Sequence, residues 1–390
     1  MDLETLAALR TAEGAAALAA AADVADGDPL ASAMAMRSRG LAPALAAAAL
    51  TQIDLRRRAV PKLGPGAEAM FFTRVGLEQA TRAVVADRRA QRLVAAGVRT
   101  MADLGCGLGS DVLAAGRAGI TVYAVEADPL TAALASVNAE AAGLADRVTV
   151  ECADATTVAV EGFDAVFADP ARRRSSGGRI FDPKAYSPPW DFVAGLPGRV
   201  PRTVLKLAPG IEHARLPRGA EGEWVSVDGD LVEATFWCGP LAEVPRRASL
   251  LPAGNELVGS GEARAPVGPV GSFLYDPGPA VVRAHLVAEL AEKISGRLAD
   301  PDIAYLYTDR PVDTPFARRL EITEMLPFSL KRLRALLRDR GVGRLEIRKR
   351  GSAVEPEQLR RDLRLSGPYA ASLVFTRVAG APMVLLCRPI

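Results

Sequence analysis

The chain predicts an α/β fold: a largely parallel sheet closed by an antiparallel hairpin, preceded by helices and followed by a smaller α/β unit. Three observations carry this. Short apolar runs alternate with helix-like stretches between residues 100 and 207, the pattern of a parallel sheet. The first apolar run passes into its helix through the glycine-rich stretch DLGCGLGSD. The last is followed by WVSVDGDLVEATFWC, two strand-like runs around Asp228-Gly229-Asp230, residues suited to a tight hairpin turn.

Composition sets the outer limits. At 390 residues the chain is long enough for two or three domains. With 49% hydrophobic and 24% charged residues it reads as globular. Net charge is only +2, so affinity for nucleic acid requires a local basic patch. The opening MDLETLAALR has no basic segment followed by an apolar core, and the Ala-rich runs at 15–22 and 44–50 are too short for a bilayer. The expectation is a cytoplasmic protein that does not meet the membrane. Cys106, Cys152, Cys238 and Cys387 are scattered, and His213 and His285 lie near none of them, so neither a disulfide framework nor a metal site is expected. His213 follows a helix start and His285 falls in an amphipathic helix; both are given surface or packing roles.

In order along the chain, residues 1–58 read as helices, with Leu3, Leu6, Leu9, Leu41, Leu45 and Leu50 at helical spacing. Breaks fall at Gly27-Asp28-Pro29 and near Gly40. Pro61 and Gly64-Pro65-Gly66 form a connection, and a helix is predicted from Leu77 to Gly97. Strands follow at 100–104, 121–126, 148–152, 163–168 and 203–207. Helices fall at 110–117 and 129–142, the second with proline in its first turn, where the missing N–H costs nothing. Residues 240–279 are rich in Gly and Pro and predict irregular or edge-strand structure. A helix at 280–298 and a strand at 304–307 come next. The last unit predicts a helix at 330–340, a strand at 344–349, a helix at 356–363, and strands at 372–378 and 383–387.

The turn Asp103-Leu104-Gly105-Cys106-Gly107-Leu108-Gly109-Ser110-Asp111 lets backbone approach a ligand closely at a helix N-terminus. It is not the dinucleotide fingerprint G-x-G-x-x-G: the third glycine comes one residue early, and Ser110 stands where glycine is wanted. Nor is it a phosphate-binding loop of the Gly-Lys-Ser/Thr kind. Glu126 ends the second strand 21 residues after Gly105, where a carboxylate can accept both ribose hydroxyls. Asp154, with Ala155 beside it, follows the third strand within reach of an adenine amino group. The fourth strand ends in Asp169-Pro170. A nucleoside without a pyrophosphate fits this set.

These residues resemble the class I S-adenosylmethionine-dependent methyltransferases over about Met101 to Cys238, terminal hairpin included. Asp103, Gly105, Gly107 and Gly109 match that family's glycine motif, Glu126 its ribose acid and Asp154 its adenine-side acid. The resemblance implies a Rossmann-like seven-stranded sheet with S-adenosylmethionine as cofactor. In the amino-group enzymes of this family a further motif is Asp, Asn or Ser followed by Pro-Pro and an aromatic residue. Its side chain and next carbonyl accept hydrogen bonds from the amine, so positioning and electrostatics supply most of the catalysis. Asp169 and Pro170 match its first half and are the expected catalytic pair. Ala171 and Arg172 replace the second half, so Phe181, Tyr186 or Trp190 would have to supply the stacking. Arg172, Arg173 and Arg174 would anchor a phosphate or carboxylate of the substrate. Ser187-Pro188-Pro189-Trp190 also resembles the motif by letters, but no apolar strand precedes it and it reads as a loop.

The stretches FFTRVGLEQATRAVVADRRAQR, DPARRRSSGGRIFDP and YSPPWDFV, with the basic tail, resemble the bacterial methyltransferases that carry a THUMP-like C-terminal domain. THUMP domains are RNA-binding modules of RNA-modifying enzymes. The core from Val122 to Pro170 is also similar to the trimethylguanosine synthase family, which methylates guanine N2. Residues 318–364 hold fourteen Lys or Arg against seven Asp or Glu, so positive charge is concentrated there. With few aromatics in the tail, recognition of backbone and shape is expected. The expected organisation is a helical region at 1–60, a methyltransferase domain at 61–240, a connecting region at 241–320 and a THUMP-like domain at 321–390. The expected function is methylation of a base amine, guanine N2 foremost, in tRNA or rRNA. A small-metabolite or protein substrate, or a non-catalytic RNA-binding role, are the alternatives.

Overall fold

The computed structural model describes residues 1–24, 28–172 and 186–389, without the side chains of residues 29, 171, 172, 186 and 389. The chain forms two compact units, Met1–Glu221 with Thr235–Glu243, and Gly222–Ala234 with Val244–Ile390.

The first unit opens with four helices, α1 (Leu3–Leu9), α2 (Ala12–Val24), α3 (Pro29–Ser38) and α4 (Pro43–Leu63). Asp2 caps α1 by accepting from the Thr5 amide at 2.8 Å, and Asp28 caps α3 through the amides of Leu30 and Ala31. Leu6, Leu9, Ala17, Met36, Ala49 and Ile53 turn inward and pack together. Pro61 lies inside α4 and not in a connection; the helix runs on to Leu63 and ends at Gly64, whose φ is +80°.

The helix expected over Leu77–Gly97 is two helices, α5 (Arg74–Gln79) and α6 (Ala83–Ala95). The interruption gives the Thr81 hydroxyl a partner: it donates to Asp111 Oδ2 at 2.6 Å. Strand β1 (Thr100–Leu104), helix α7 (Ser110–Arg117), strand β2 (Thr121–Glu126), helix α8 (Pro129–Ala141), strand β3 (Val148–Cys152) and strand β4 (Ala165–Ala168) then alternate as predicted. Helix α9 (Trp190–Arg199) leads to β5 (Thr203–Leu207), and β6 (Glu221–Val227) and β7 (Asp230–Trp237) form the hairpin. Its turn residues Asp228 and Gly229 both have positive φ, as a two-residue hairpin turn of this hand requires.

Strands β1 to β5 are parallel, with Met101 opposite both Val122 and Ala165, and Val166 opposite Thr203. Asp164 fixes one register: its carboxylate accepts from the amides of Arg99 and Thr100 at 2.9 and 3.0 Å. The sheet order is β3-β2-β1-β4-β5-β7-β6, and two further strands continue it, β8 (Arg246–Leu251) and β9 (Asn255–Gly259). These two come from the Gly/Pro-rich stretch expected to be irregular or edge-strand structure, and β9 is an edge strand of the sheet. Its Pro252-Ala253-Gly254 is the turn between them, and β8 lies parallel to β6 with Arg247 opposite Glu223.

The second unit contains a seven-stranded sheet. Its members are β10 (Phe273–Pro277), Arg297–Leu298, β11 (Leu306–Thr308), β12 (Ala317–Pro327), β13 (Val342–Lys349), β14 (Tyr369–Val378) and β15 (Ala381–Pro389). Their order is Arg297–Leu298, β11, β10, β12, β15, β14, β13. Residues 280–298, expected as one helix, give α10 (Pro279–Arg283), α11 (Val287–Ile294) and the short strand. The break falls at His285, whose φ of +61° no helix interior accommodates. Helices α12 (Leu330–Asp339) and α13 (Pro356–Leu363) press Leu333, Leu337, Leu359 and Leu363 onto Leu373, Phe375, Val384 and Leu386. The alternate residues Val374 and Leu385 pack with Tyr305, Tyr307 and Leu320, so both faces of these strands are buried.

No helix among the described residues is long and apolar enough to cross a membrane.

Candidate active site

The ends of β1 to β4 bring the glycine turn, Glu126, Asp154 and Asp169 close together. Gly105, Gly107 and Gly109 all have positive φ, +103°, +56° and +89°, backbone that side chains oppose. The turn is pinned to β2, since the amides of Gly105 and Cys106 both donate to the Val125 carbonyl at 3.0 and 3.1 Å. A Cβ on Gly105 would lie 3.4 Å from the carbonyl oxygen of Asp169, so the glycine turn and the acid after β4 are close neighbours. Gly109 hands the chain to α7 by accepting from the Leu113 amide at 2.8 Å.

Glu126 faces this turn. Its Oε2 accepts from the Gly107 amide at 3.1 Å and its Oε1 from the Asp128 amide at 3.0 Å. A carboxylate oxygen has more than one lone pair, so both retain capacity for hydroxyl donors. The Ala153 amide bonds the Glu126 carbonyl at 3.2 Å, which brings Asp154 alongside. Asp154 Oδ1 accepts from the amide and hydroxyl of Thr156, both at 2.8 Å, and so caps the single 3₁₀ turn Ala155–Thr157. Ala155 is buried.

Asp103 is fully buried, and neither of its carboxylate oxygens has a hydrogen-bond partner among the described residues. Burial, then the neighbouring carboxylates of Asp111 and Asp169, push its pKa well above the usual carboxylate range; Lys206 and Arg89 oppose this. An orphaned buried carboxylate is costly in isolation and is well matched to a cationic group. S-adenosylmethionine carries an ammonium and a sulfonium, and no phosphate; the donor-rich glycine turn, Glu126 and Asp103 fit it. Asp111, in the first turn of α7, is itself held by Arg89 and Thr81, and the Arg89 guanidinium lies 4.9 Å from the Phe167 ring centre.

Asp169 is half-buried, and Pro170 after it is buried. Lys206, inside β5, donates to Asp169 Oδ2. Parallel register explains the pair: Ala168 stands opposite Leu205, and the next residues along are Asp169 and Lys206. Lys206 escaped the sequence reading, although a single cation in the apolar run TVLKL was a usable signal. Lys62, which closes the basic cluster of α4, is tied to backbone. Its ammonium donates to the carbonyls of Leu77 and Glu78 at 2.7 and 2.8 Å. Burial first, then the charges of Arg82 and Lys206, push Lys62 down to about 8.

Two buried amides hold the segment before the sheet in place. Asn138 of α8 exchanges hydrogen bonds with the Phe71 backbone (2.7 and 3.2 Å) and also donates to the Leu108 carbonyl of the glycine turn at 3.1 Å. Gln52 of α4 does the same for Phe72, at 2.8 and 3.0 Å. Their signal was a polar residue on the apolar face of each helix.

Ala171 and Arg172 pair antiparallel with Ser187 and Tyr186, so the second near-match, read as a loop, has its first residue in a short strand beside the first. Trp190 heads α9 under the Arg215 guanidinium, 5.3 Å from the ring centre. The side chains of Arg172 and Tyr186, and all of Arg173, Arg174 and Phe181, lie outside the described residues. A cavity of about 240 Å³ among Leu63, Met70, Thr81, Ser110 and Leu113 is lined by none of the predicted site residues.

Residues 102–170 match the family model described as a methyltransferase domain, residues 317–389 that of a THUMP domain-like family, and residues 2–59 a domain of unknown function. The chain is 35% identical over 355 residues to an uncharacterised S-adenosylmethionine-dependent methyltransferase of Mycobacterium tuberculosis, covering 86% of this chain and 95% of the relative. A shorter match, 35% identical over 27% of this chain and 25% of the relative, is to the 23S rRNA (uracil(1939)-C(5))-methyltransferase RlmD of Acidithiobacillus ferrooxidans. Among solved structures, a putative methyltransferase from Porphyromonas gingivalis superposes with a TM-score of 0.69 at 21% identity, covering 88% of this chain and 90% of that one. The chain belongs to the S-adenosylmethionine-dependent methyltransferases and carries a THUMP-like domain at its C-terminal end.

Proposed function

We propose that this enzyme methylates a base amine of RNA, with guanine N2 in tRNA or rRNA as the leading acceptor. The observation that carries the reading is the placement of Asp169 against the glycine turn, its carbonyl beside Gly105 and its carboxylate held by Lys206. When bound, S-adenosylmethionine supplies an activated methyl group, whose bond to sulfur breaks as the bond to the acceptor nitrogen forms.

The protein's part is to hold and aim. Gly105, Gly107 and Gly109 with Asp103 hold the methionine end, Glu126 the ribose, and Asp154 and Ala155 the adenine side. Lys206 occupies Asp169 Oδ2 and fixes the carboxylate, and Oδ1 has no protein partner among the described residues. Oδ1 accepts an N–H of the incoming amine, turns its lone pair toward the methyl carbon, and stabilises the positive charge that develops on nitrogen until the nitrogen releases that proton to solvent. The cations Lys62 and Arg82, with Arg172 and Arg173, attract the phosphate groups of the substrate, and Phe181, Tyr186 and Trp190 wall the acceptor base. Lys206 is a positioning residue in this scheme, since it acts through Asp169.

RNA as the substrate class is supported by the THUMP-like match and by the basic excess within residues 318–364. We assign RNA contact to the domain at 321–390. The test is transfer of labelled methyl groups to purified tRNA and rRNA fractions. Transfer should fall steeply with added salt, because the phosphate contacts release counterions. Salt-insensitive methylation of a small metabolite would overturn the reading.

A further inference from the structure

The second unit contains a cleft of about 530 Å³, within the size range of ligand sites. Its lining includes Arg318, Arg348 and Arg350 together with the apolar Leu251, Pro315 and Phe316. Among the described residues Asp276 is the one carboxylate in the lining, against three cations. The guanidinium groups are held in place. Arg348 and Arg350 both donate to Asp276, and Arg350 lies 5.3 Å from the Tyr305 ring centre. Arg318 forms a two-pronged pair with Glu346 at 2.6 and 2.9 Å, and Glu346 also takes Arg348 and the Ser372 hydroxyl.

Two carboxylates thus orient three guanidinium groups without neutralising them. Arg318 keeps 43% of its side chain exposed. Fixed arginine forks suit phosphate oxygens, and a low-dielectric wall of proline and aliphatic side chains strengthens that attraction and suits a base or sugar.

We propose that this cleft binds a phosphate-bearing nucleotide of the RNA substrate, away from the nucleotide that is methylated. The proposal rests on the RNA reading above. It gives the THUMP-like unit a defined anchoring point in addition to its diffuse positive charge.

The test measures binding of a fluorescein-labelled RNA of about ten nucleotides to the full chain between about 50 and 200 mM salt. Arg318→Gln is the first variant, because its half-exposed side chain leaves the Asp276 pairs intact. It should weaken binding by about 5- to 10-fold and make the log–log salt slope shallower by about 0.7, the loss of one single-strand phosphate contact. Arg318→Lys should keep the wild-type slope and recover part of the affinity, since it retains charge without the fork. Melting temperature, measured alongside, checks that both variants are folded. Wild-type affinity and slope in Arg318→Gln would overturn the cleft and leave the RNA reading standing. Failure of the wild-type protein to bind RNA at any of these salt concentrations would overturn both.

Discussion

Lys206 donates to the carboxylate of Asp169 one step beyond the last paired residues of β4 and β5, Ala168 and Leu205, so the acid ending one strand is held by a cation of the next. Removing the acid should stop the chemistry without emptying the cofactor site. Asp169→Ala is expected to lower kcat by at least about 10²- to 10³-fold, the usual loss for a group that stabilises developing charge. Calorimetry should find S-adenosylmethionine binding within a few-fold of wild type. Unchanged turnover would remove Asp169 from the mechanism.

Lys206 gives a graded version of the same experiment. Lys206→Met should lower kcat about 10-fold while cofactor affinity holds, and Lys206→Arg should recover much of the loss by restoring a donor to Oδ2. A variant pair that loses stability in step with activity would point to a packing role instead.

Asp103 predicts opposite effects on stability and binding. Its folded pKa is raised well above the usual range by burial and by Asp111 and Asp169. The unfolded chain ionises this group near pH 4, so between there and the folded pKa the native state holds the extra proton. Stability therefore falls as pH rises through that window. Asp103→Asn removes the penalty: the ligand-free variant should melt at or above wild type, by a margin that grows from pH 4 toward neutrality. Its affinity for S-adenosylmethionine should drop by about 10- to 150-fold, the worth of one charge-assisted hydrogen bond. Melting curves at several pH values and titration calorimetry check both.

Gly105 tests the turn itself. An alanine there is strained at φ +103° and points its Cβ at the Asp169 carbonyl. Gly105→Ala should cost at least about 1–2 kcal/mol in urea unfolding and weaken cofactor binding. Gly97→Ala, at φ +79° with open space around it, should show strain alone and leave cofactor binding unchanged.

A buried ion pair joins α6 to the hairpin. Arg92 meets both oxygens of Glu221 at 2.9 and 2.6 Å and stacks 4.1 Å from the Trp237 ring centre. Arg92→Met leaves Glu221, with 0% of its side chain exposed, without that cation, and should cost about 3–5 kcal/mol. Adding Glu221→Gln should return part of it, because the buried charge is then gone. Urea denaturation of the two variants measures the difference.

The parallel core was readable because its signals are local. A strand, a glycine turn and a helix follow within about twenty residues from Thr100, and Asp228-Gly229 specifies its own turn. What escaped depends on distant partners. Residues 317–327, ARRLEITEMLP, carry polar residues along much of their length, and their strand character comes from pairing with Ala381–Pro389 far along the chain. In residues 240–259 the Gly and Pro signals are real but mark a turn between strands. Over 280–298 the apolar period continues through His285, so the backbone reversal there leaves little trace in the pattern. Lys206 is the instructive case in the site. Its type was visible in TVLKL, but its partner depends on β5 lying next to β4, which is a property of the strand order.

The most direct measurement incubates the protein with methyl-labelled S-adenosylmethionine and total RNA from a strain lacking this gene, followed by digestion to nucleosides. Label is expected in RNase-sensitive material, on a base methylated at an exocyclic amine, and absent with Asp169→Ala. Label on a ribose oxygen would contradict the amine reading, and no label in RNA from protein that binds the cofactor would contradict RNA as the substrate.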